Sequence, residues 1–313
     1  MRLNDCNGPI HSIGFHQLKT WIVFGGKAKK IKFWDYMNKK YLFTLRGHTK
    51  CILSVQFHPN AHILNWVLSA SEDQTLRIWD YEKRMCLSVL IGHEKVVKSG
   101  IFHPTKDWLV LSASLDKTIR LWDISGLIKN ETREQQSESN MFVNTLDTVL
   151  KYMSEKDIPD RDEKKMNGTF VRYILEGHAK GVNMATFHHN LPLITSASVD
   201  GSVILWQQIE EEDQCSKIAE FSAHTQSVSS CHFHPFQDLI VSISDDNSIR
   251  VWDIAKGREN VCHNKASEEK MSGLAIHRSQ NIFAASHYAG VLIFKVREEN
   301  VSYHLKYFLT GMN

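Results

Sequence analysis

Apolar and polar positions alternate along this chain in short stretches, and the stretches themselves recur. Segments rich in β-branched and aromatic residues, such as LSASEDQTLRIWD (68–80), are broken by Asp, Gly or His-Pro turns. Alternation at period two between turn signals predicts short β-strands with one face in a core. No run of eighteen apolar residues occurs, and the N-terminal MRLNDCNGPIHS lacks the apolar core of a secretory leader. The pattern predicts a soluble, intracellular, all-β protein.

The recurrence is the stronger signal. FTLRGH ends at His48, SVLIGH at His93, YILEGH at His178 and AEFSAH at His224. Each is followed by an apolar stretch closing in FHP or FHH, and then by LSASEDQTLRIWD, LSASLDKTIRLWD, TSASVDGSVILW or VSISDDNSIRVWD. Asp73 precedes Trp79 by six residues, and Asp116–Trp122, Asp200–Trp206 and Asp246–Trp252 repeat that separation. Two weaker units flank these four. One contains KIKFWDY with Ala28 at the turn-Asp position; the other contains GVLIFKV, with Tyr288 at the Asp position and Phe294 at the Trp position.

A four-stranded unit of this length cannot bury both of its faces alone. Packing the units radially around an axis buries them and leaves only short, protected edges. The repeats therefore predict a WD40-type β-propeller with six visible repeats. The recurring His, Ser, Asp and Trp resemble a catalytic triad in composition. A catalytic set occurs once, with an oriented nucleophile, whereas fourfold recurrence points to a hydrogen-bonded structural network at each blade edge. His48, Asp73, Trp79, His93, Asp116, Trp122, His178, Asp200, Trp206, His224, Asp246 and Trp252 are assigned to that network, and no enzymatic activity is expected.

Composition adds mainly exclusions. With 37 basic and 35 acidic side chains the net charge is +2, so no global field draws the chain to nucleic acid. Six scattered cysteines without a CxxC pair read as reduced thiols. Of the 17 histidines, ten fall at repeat positions. No metal or cofactor is expected. The basic run KAKKIK (27–32) reads as a solvated strand edge.

After WDISGLIKN the repeat stops until Tyr173. Residues 127–172 are read as a polar insertion between blades at 1–126 and 173–313 of one propeller. Within it Phe142, Leu146, Val149, Leu150 and Met153 have helical spacing, which predicts a short amphipathic helix on a surface excursion.

The phrases SASLDKTIRLWDISGL, LEGHAKGVN, SVSSCHFHP…LIVSISDDNSIRVWD and NIFAASHYAGVLIFKV, in that order, resemble the propeller of the coatomer α-subunit family, part of the COPI vesicle coat. The family template is seven-bladed. The resemblance implies a cytoplasmic coat component, peripheral on Golgi and vesicle membranes, that works in Golgi-to-endoplasmic-reticulum and intra-Golgi transport. Its partners would be other coatomer subunits and the C-terminal dilysine tails of membrane cargo. Such a site needs basic groups for the terminal carboxylate and acidic groups with aromatic walls for the lysines.

By the same resemblance, the family's tail-binding positions fall here on His11, Glu72 and Lys270, the last two keeping the charge. The acidic–aromatic pair after the first GH falls on Lys50–Cys51, an aromatic on Val96 and a Trp on Ser272. A lysine beside an ammonium pocket repels the ligand, and an aliphatic side chain supplies no cation–π attraction. The alternative is therefore a paralogous scaffold that has lost dilysine recognition. Relative to the template the first blade is missing. Either a stretch of ~40 residues is absent from a longer subunit, or the ring has six blades and the tail VSYHLKYF supplies the last outer strand.

Overall fold

The structure is a computed structural model, and it describes residues 8–129, 169–209, 214–263, 270–277, 280, 282–287, 290–296 and 303–310. Among the described residues, twenty-four strands form six four-stranded antiparallel sheets, each a meander in which consecutive strands pair. Blade 1 contains β1 (Ile10–Phe15), β2 (Trp21–Gly26), β3 (Lys30–Asp35) and β4 (Lys40–Arg46). Blade 2 contains β5 (Ile52–Phe57), β6 (Trp66–Ser71), β7 (Leu76–Asp80) and β8 (Met85–Leu90). Blade 3 contains β9 (Val97–Phe102), β10 (Leu109–Ser114), β11 (Ile119–Asp123) and β12 (Phe170–Leu175). Blade 4 is β13 (Val182–Phe187), β14 (Leu193–Ser198), β15 (Val203–Ile209) and β16 (Gln214–Phe221). Blade 5 is β17 (Val228–Phe233), β18 (Leu239–Ser244), β19 (Ile249–Asp253) and β20 (Arg258–His263). Blade 6 is β21 (Met271–Ile276), β22 (Ile282–His287), β23 (Gly290–Val296) and β24 (Tyr303–Thr310).

The tail does supply the outer strand of blade 6: Gly290 pairs with Thr310 and Val296 with Tyr303. The described residues thus form six blades in a propeller arrangement. Residues 125–129 after β11 are helical, and β12 returns to pair with β11, Asp123 opposite Phe170 and Ile119 opposite Leu175. The proposed helix around Phe142–Met153 lies outside the described residues.

First strands of successive blades are neighbours, β1 with β5, β5 with β9, and so on to β21, so they surround the axis. The second strands are buried on both faces: every residue of β6, β10 and β18 is buried. That is why WVLSAS, LVLSAS and LIVSIS are continuous small-and-apolar runs rather than alternations. The core consists of layers between blades. Val23, Phe33 and Leu45 of blade 1 meet Val55, Phe57, Val67 and Trp79 of blade 2, and Leu68 and Ile78 of blade 2 meet Trp122 and Val110 of blade 3. Blades 2 to 5 therefore each turn the tryptophan-bearing face to the preceding blade.

Turns between β-strands are held by the histidines of the FH pairs. His16 Nδ1 accepts the backbone N–H of Leu18 and Lys19, both at 3.0 Å. His58, His103, His188 and His234 do the same for the turns that follow them. A neutral imidazole whose acceptor nitrogen serves the turn explains this repeat position, and no metal is needed to account for it.

Candidate functional site

The repeated His, Ser, Asp and Trp come together at the boundary between blades. In blade 2, Trp79 Nε1–H donates to Ser69 Oγ at 2.8 Å, and the Ser69 hydroxyl donates to His48 Nε2 at 2.7 Å. His48 Nδ1–H donates to Asp73 Oδ2 at 2.7 Å. Asp73 also accepts the Thr49 N–H and both the N–H and hydroxyl of Thr75. This neutral tautomer satisfies every partner. The arrangement recurs as Trp122–Ser112–His93–Asp116, Trp206–Ser196–His178–Asp200 and Trp252–Ser242–His224–Asp246.

The hydroxyl two residues after each turn Asp (Thr75, Thr118, Ser202, Ser248) belongs to the same network. Its sequence signal is the D-x-T/S spacing in all four strong repeats. The intervening residue has positive φ, 72° at Gln74 and 89° at Gly201, as the tight turn requires. The glycine before each GH histidine is also placed by contact. A Cβ on Gly47 would lie 2.6 Å from Arg77 Nη1 and 2.9 Å from the Trp79 ring.

Burial dominates the histidine electrostatics. It pushes the imidazoles of His48, His93 and His178 below their ordinary pKa, and their aspartate partners oppose this only in part. Burial also works to raise the aspartate carboxyls, but hydrogen bonds outweigh it. Asp73 and Asp116 are held far below the carboxylate range, and Asp200 and Asp246 at about 2. No serine here faces an acceptor site beside a base and an oxyanion hole, since each Ser Oγ is locked by an indole and an imidazole. The four sets build the ring.

The tail-binding candidates lie toward one end of the propeller axis. Glu72 sits in the β6–β7 turn, where its N–H donates to Cys51 O at 2.9 Å. The equivalent bonds are Lys27 to Pro9, Leu115 to Val96, Val199 to Gly181 and Asp245 to Ser227. Those five turn positions therefore present Lys27, Glu72, Leu115, Val199 and Asp245 at matching places around the ring. Burial raises the Cys51 thiol, Glu72 raises it further, and Lys27 and Lys98 oppose, so Cys51 lies under the influence of one carboxylate and two ammonium groups. Lys50, next to Cys51 in sequence, is exposed.

Lys270, just before β21, is exposed and donates to Asp245 Oδ2 at 3.1 Å. Asp245 was not among the sequence candidates; its only signal is the doubled Asp245–Asp246, of which the second is the turn residue. His11 lies on β1, between Ile10 and Ser12, where the register with β2 shifts. Ser272 hydrogen-bonds Ser286. Among the described residues, no hydrogen bond or ion pair joins His11, Glu72 and Lys270 to one another. Among the described residues no group of three or more His, Cys, Asp or Glu has the geometry of a metal site, and no helix is long and apolar enough to cross a membrane.

Comparison with known proteins accords with this geometry. The family of WD domain, G-beta repeats matches residues 39–80, 84–123, 169–207 and 215–253, half of the chain. The chain is 47% identical over 154 residues to the coatomer subunit alpha of Dictyostelium discoideum, which is 49% of this chain and 12% of that protein. It is 47% identical over 135 residues to coatomer subunit alpha-1 of Arabidopsis thaliana, 43% of this chain and 11% of the relative. With coatomer subunit alpha of Saccharomyces cerevisiae the identity is 45% over 133 residues, 41% and 10%. The chain thus spans about a tenth of the length of the relatives it matches. Four repeats matched by the family, each with its own indole–serine–imidazole–carboxylate relay, identify this chain as a member of the WD40 repeat family, similar in sequence to coatomer α subunits.

Proposed function

We propose that this chain acts as a non-enzymatic propeller of a COPI-type vesicle coat, docking coat partners on the cytosolic side of Golgi and vesicle membranes. The observation that carries this reading is the identity of nearly half the aligned residues with coatomer α subunits over 133–154 positions. The structural network supports it, because every repeated polar group is committed to holding blades together, which leaves faces rather than a reactive centre for function.

The finer part of the reading is recognition of a C-terminal dilysine tail by Glu72, Lys270 and His11. Glu72 would take an ammonium group, and Lys270 and His11 the terminal carboxylate. Titration of the chain with a C-terminal KKxx peptide, against its amidated control, tests this directly. Saturable binding lost on amidation supports cargo recognition; equal binding of both peptides, or none, removes it.

A second reading is favoured by two specific observations. Lys50 neighbours Cys51, whose carbonyl accepts the Glu72 N–H, and Asp245 already pairs with Lys270. Both poles are thereby offset by opposite charge, as expected of a scaffold that holds an assembly together without reading dilysine tails. Retained binding to coat subunits without peptide binding would select this reading.

A further inference from the structure

Lysine recurs two residues after the relay histidine in three successive blades: Lys50 after His48, Lys95 after His93 and Lys180 after His178, with Gln226 at that place after His224. In a four-strand meander the entry to the first strand and the turn between the second and third strands lie at the same end of the blade. These lysines therefore share the end of the propeller that carries the relay turns, and Lys117, next to Asp116 in the β10–β11 turn, joins them. All four are exposed. Among the described residues, none of their ammonium groups makes an ion pair or a hydrogen bond.

Three of the four meet around Leu115. Its N–H donates to Val96 O at 2.9 Å, and the Ser114 hydroxyl donates to Lys95 O at 3.3 Å, which ties the Lys95 loop to the turn that bears Lys117. The Lys117 N–H closes that turn on Ser114 O. From blade 4, Gly181 comes so close that a Cβ there would stand 2.8 Å from Leu115 Cα. Gly181 O also accepts the Val199 N–H at 2.9 Å, so the loop of Lys180 touches the turns of both blades. Val96, Leu115 and Val199 are half-buried. Where the matching turns of blades 2 and 5 present Glu72 and Asp245, blades 3 and 4 present an apolar floor edged by lysines.

The carboxylates of this sector are engaged beneath the lysines. Asp116 accepts the His93 ring N–H, the Glu94 N–H and both donors of Thr118. Asp200 accepts the N–H groups of Ala179 and Ser202. Burial lowers the pKa of Arg120 while Asp116, Glu94 and Glu176 oppose it, so these three acids lie within Coulombic reach of a half-buried guanidinium.

We propose that this sector binds an acidic linear segment of another polypeptide, with its carboxylates on Lys95, Lys117 and Lys180 and an apolar side chain on Leu115 and Val199. Charge complementarity sets the sign of the partner. Among the described residues, positions 48–51, 93–96, 115–117 and 178–181 include no exposed large apolar side chain. A half-buried floor has nothing to enter a bilayer, so the site fits a peptide better than a lipid surface. The ligand is opposite in charge to a dilysine tail, and Glu72 and Lys270 take no part in holding it.

The test uses the full chain and peptides blocked at both ends: GEELEEG, its glutamine counterpart GQQLQQG and the leucine-free GEEGEEG. Blocked ends remove the terminal carboxylate and no lysine is present, so failure here is distinct from failure of the KKxx titration. Calorimetry should show saturable binding of GEELEEG that weakens as salt rises from about 0.05 to about 0.3 M. Binding of GEEGEEG should be weaker, and GQQLQQG should not bind. Lys95→Glu and Lys180→Glu, at exposed side chains, should each weaken GEELEEG binding about fivefold and together abolish it. Lys39→Glu, in the β3–β4 turn at the opposite end, should leave it unchanged. Absence of GEELEEG binding, equal binding of either control peptide, or unchanged affinity in the double variant would each overturn the proposal. So would binding of phosphatidylserine vesicles by a chain that ignores all three peptides.

Discussion

His48 Nδ1 stands 2.7 Å from Asp73 Oδ2, joining the chain that leaves blade 1 to the turn that heads the third strand of blade 2. Because the same imidazole reaches Ser69 and through it Trp79, one side chain connects two blades and both faces of a turn. Asp73→Ala would leave the buried His48 N–H and the Thr75 N–H without an acceptor. A loss of about 2–3 kcal/mol in chemical denaturation is expected. Ala28→Asp, in the blade where this network is not built, should change stability by less than about 0.5 kcal/mol.

Acid should weaken the ring in two stages. In the unfolded chain the histidines protonate as pH falls through their ordinary value of 6.5, while burial keeps His48, His93 and His178 neutral in the fold. The unfolded state then binds more protons, so stability present above pH 6.5 is lost as pH falls toward the lowered folded values. The slope is at most about 1.4 kcal/mol per pH unit for each histidine. Asp73, Asp116, Asp200 and Asp246 also have depressed values, and their contribution, present above the ordinary 3.8, is lost below it. Thermal midpoints measured between pH 8 and pH 3 check both stages; a flat profile from pH 7 to pH 5 would contradict the first.

Truncating two tryptophans should separate a buried indole from a half-buried one. Trp79→Ala removes an indole that is 2% exposed together with its bond to Ser69, and about 3–5 kcal/mol should be lost. Trp34→Ala, at a half-buried indole, should cost less than half of that. Similar losses for the two variants would contradict this difference in burial.

Glu72→Lys addresses the candidate tail site. The side chain is in a partly exposed turn, so folding should be preserved within about 0.5 kcal/mol. If the KKxx peptide binds the unaltered chain, it should no longer bind this variant. Unchanged affinity, read by calorimetry, would remove Glu72 from the site. Asp245→Asn is the complementary variant: freeing Lys270 from its 3.1 Å partner should strengthen carboxylate binding if Lys270 is the basic pole.

The blades and their fastening were legible in the order of the residues. His48, Asp73 and Trp79 recur at fixed spacing because each bond they make lies within one blade or just across its boundary, and such local geometry leaves a periodic trace. The tail VSYHLKYF was legible as a strand by composition, and its pairing with β23 follows from adjacency. Tertiary structure alone decided which faces are covered. Phe15 and Phe57 share the same FH sequence and the same register, yet one is exposed and the other buried. Burial depends on what packs opposite, which no local pattern encodes. The same holds for Lys270, whose partner Asp245 comes from a turn 25 residues earlier and is brought beside it only by the packing of blade 5 on blade 6.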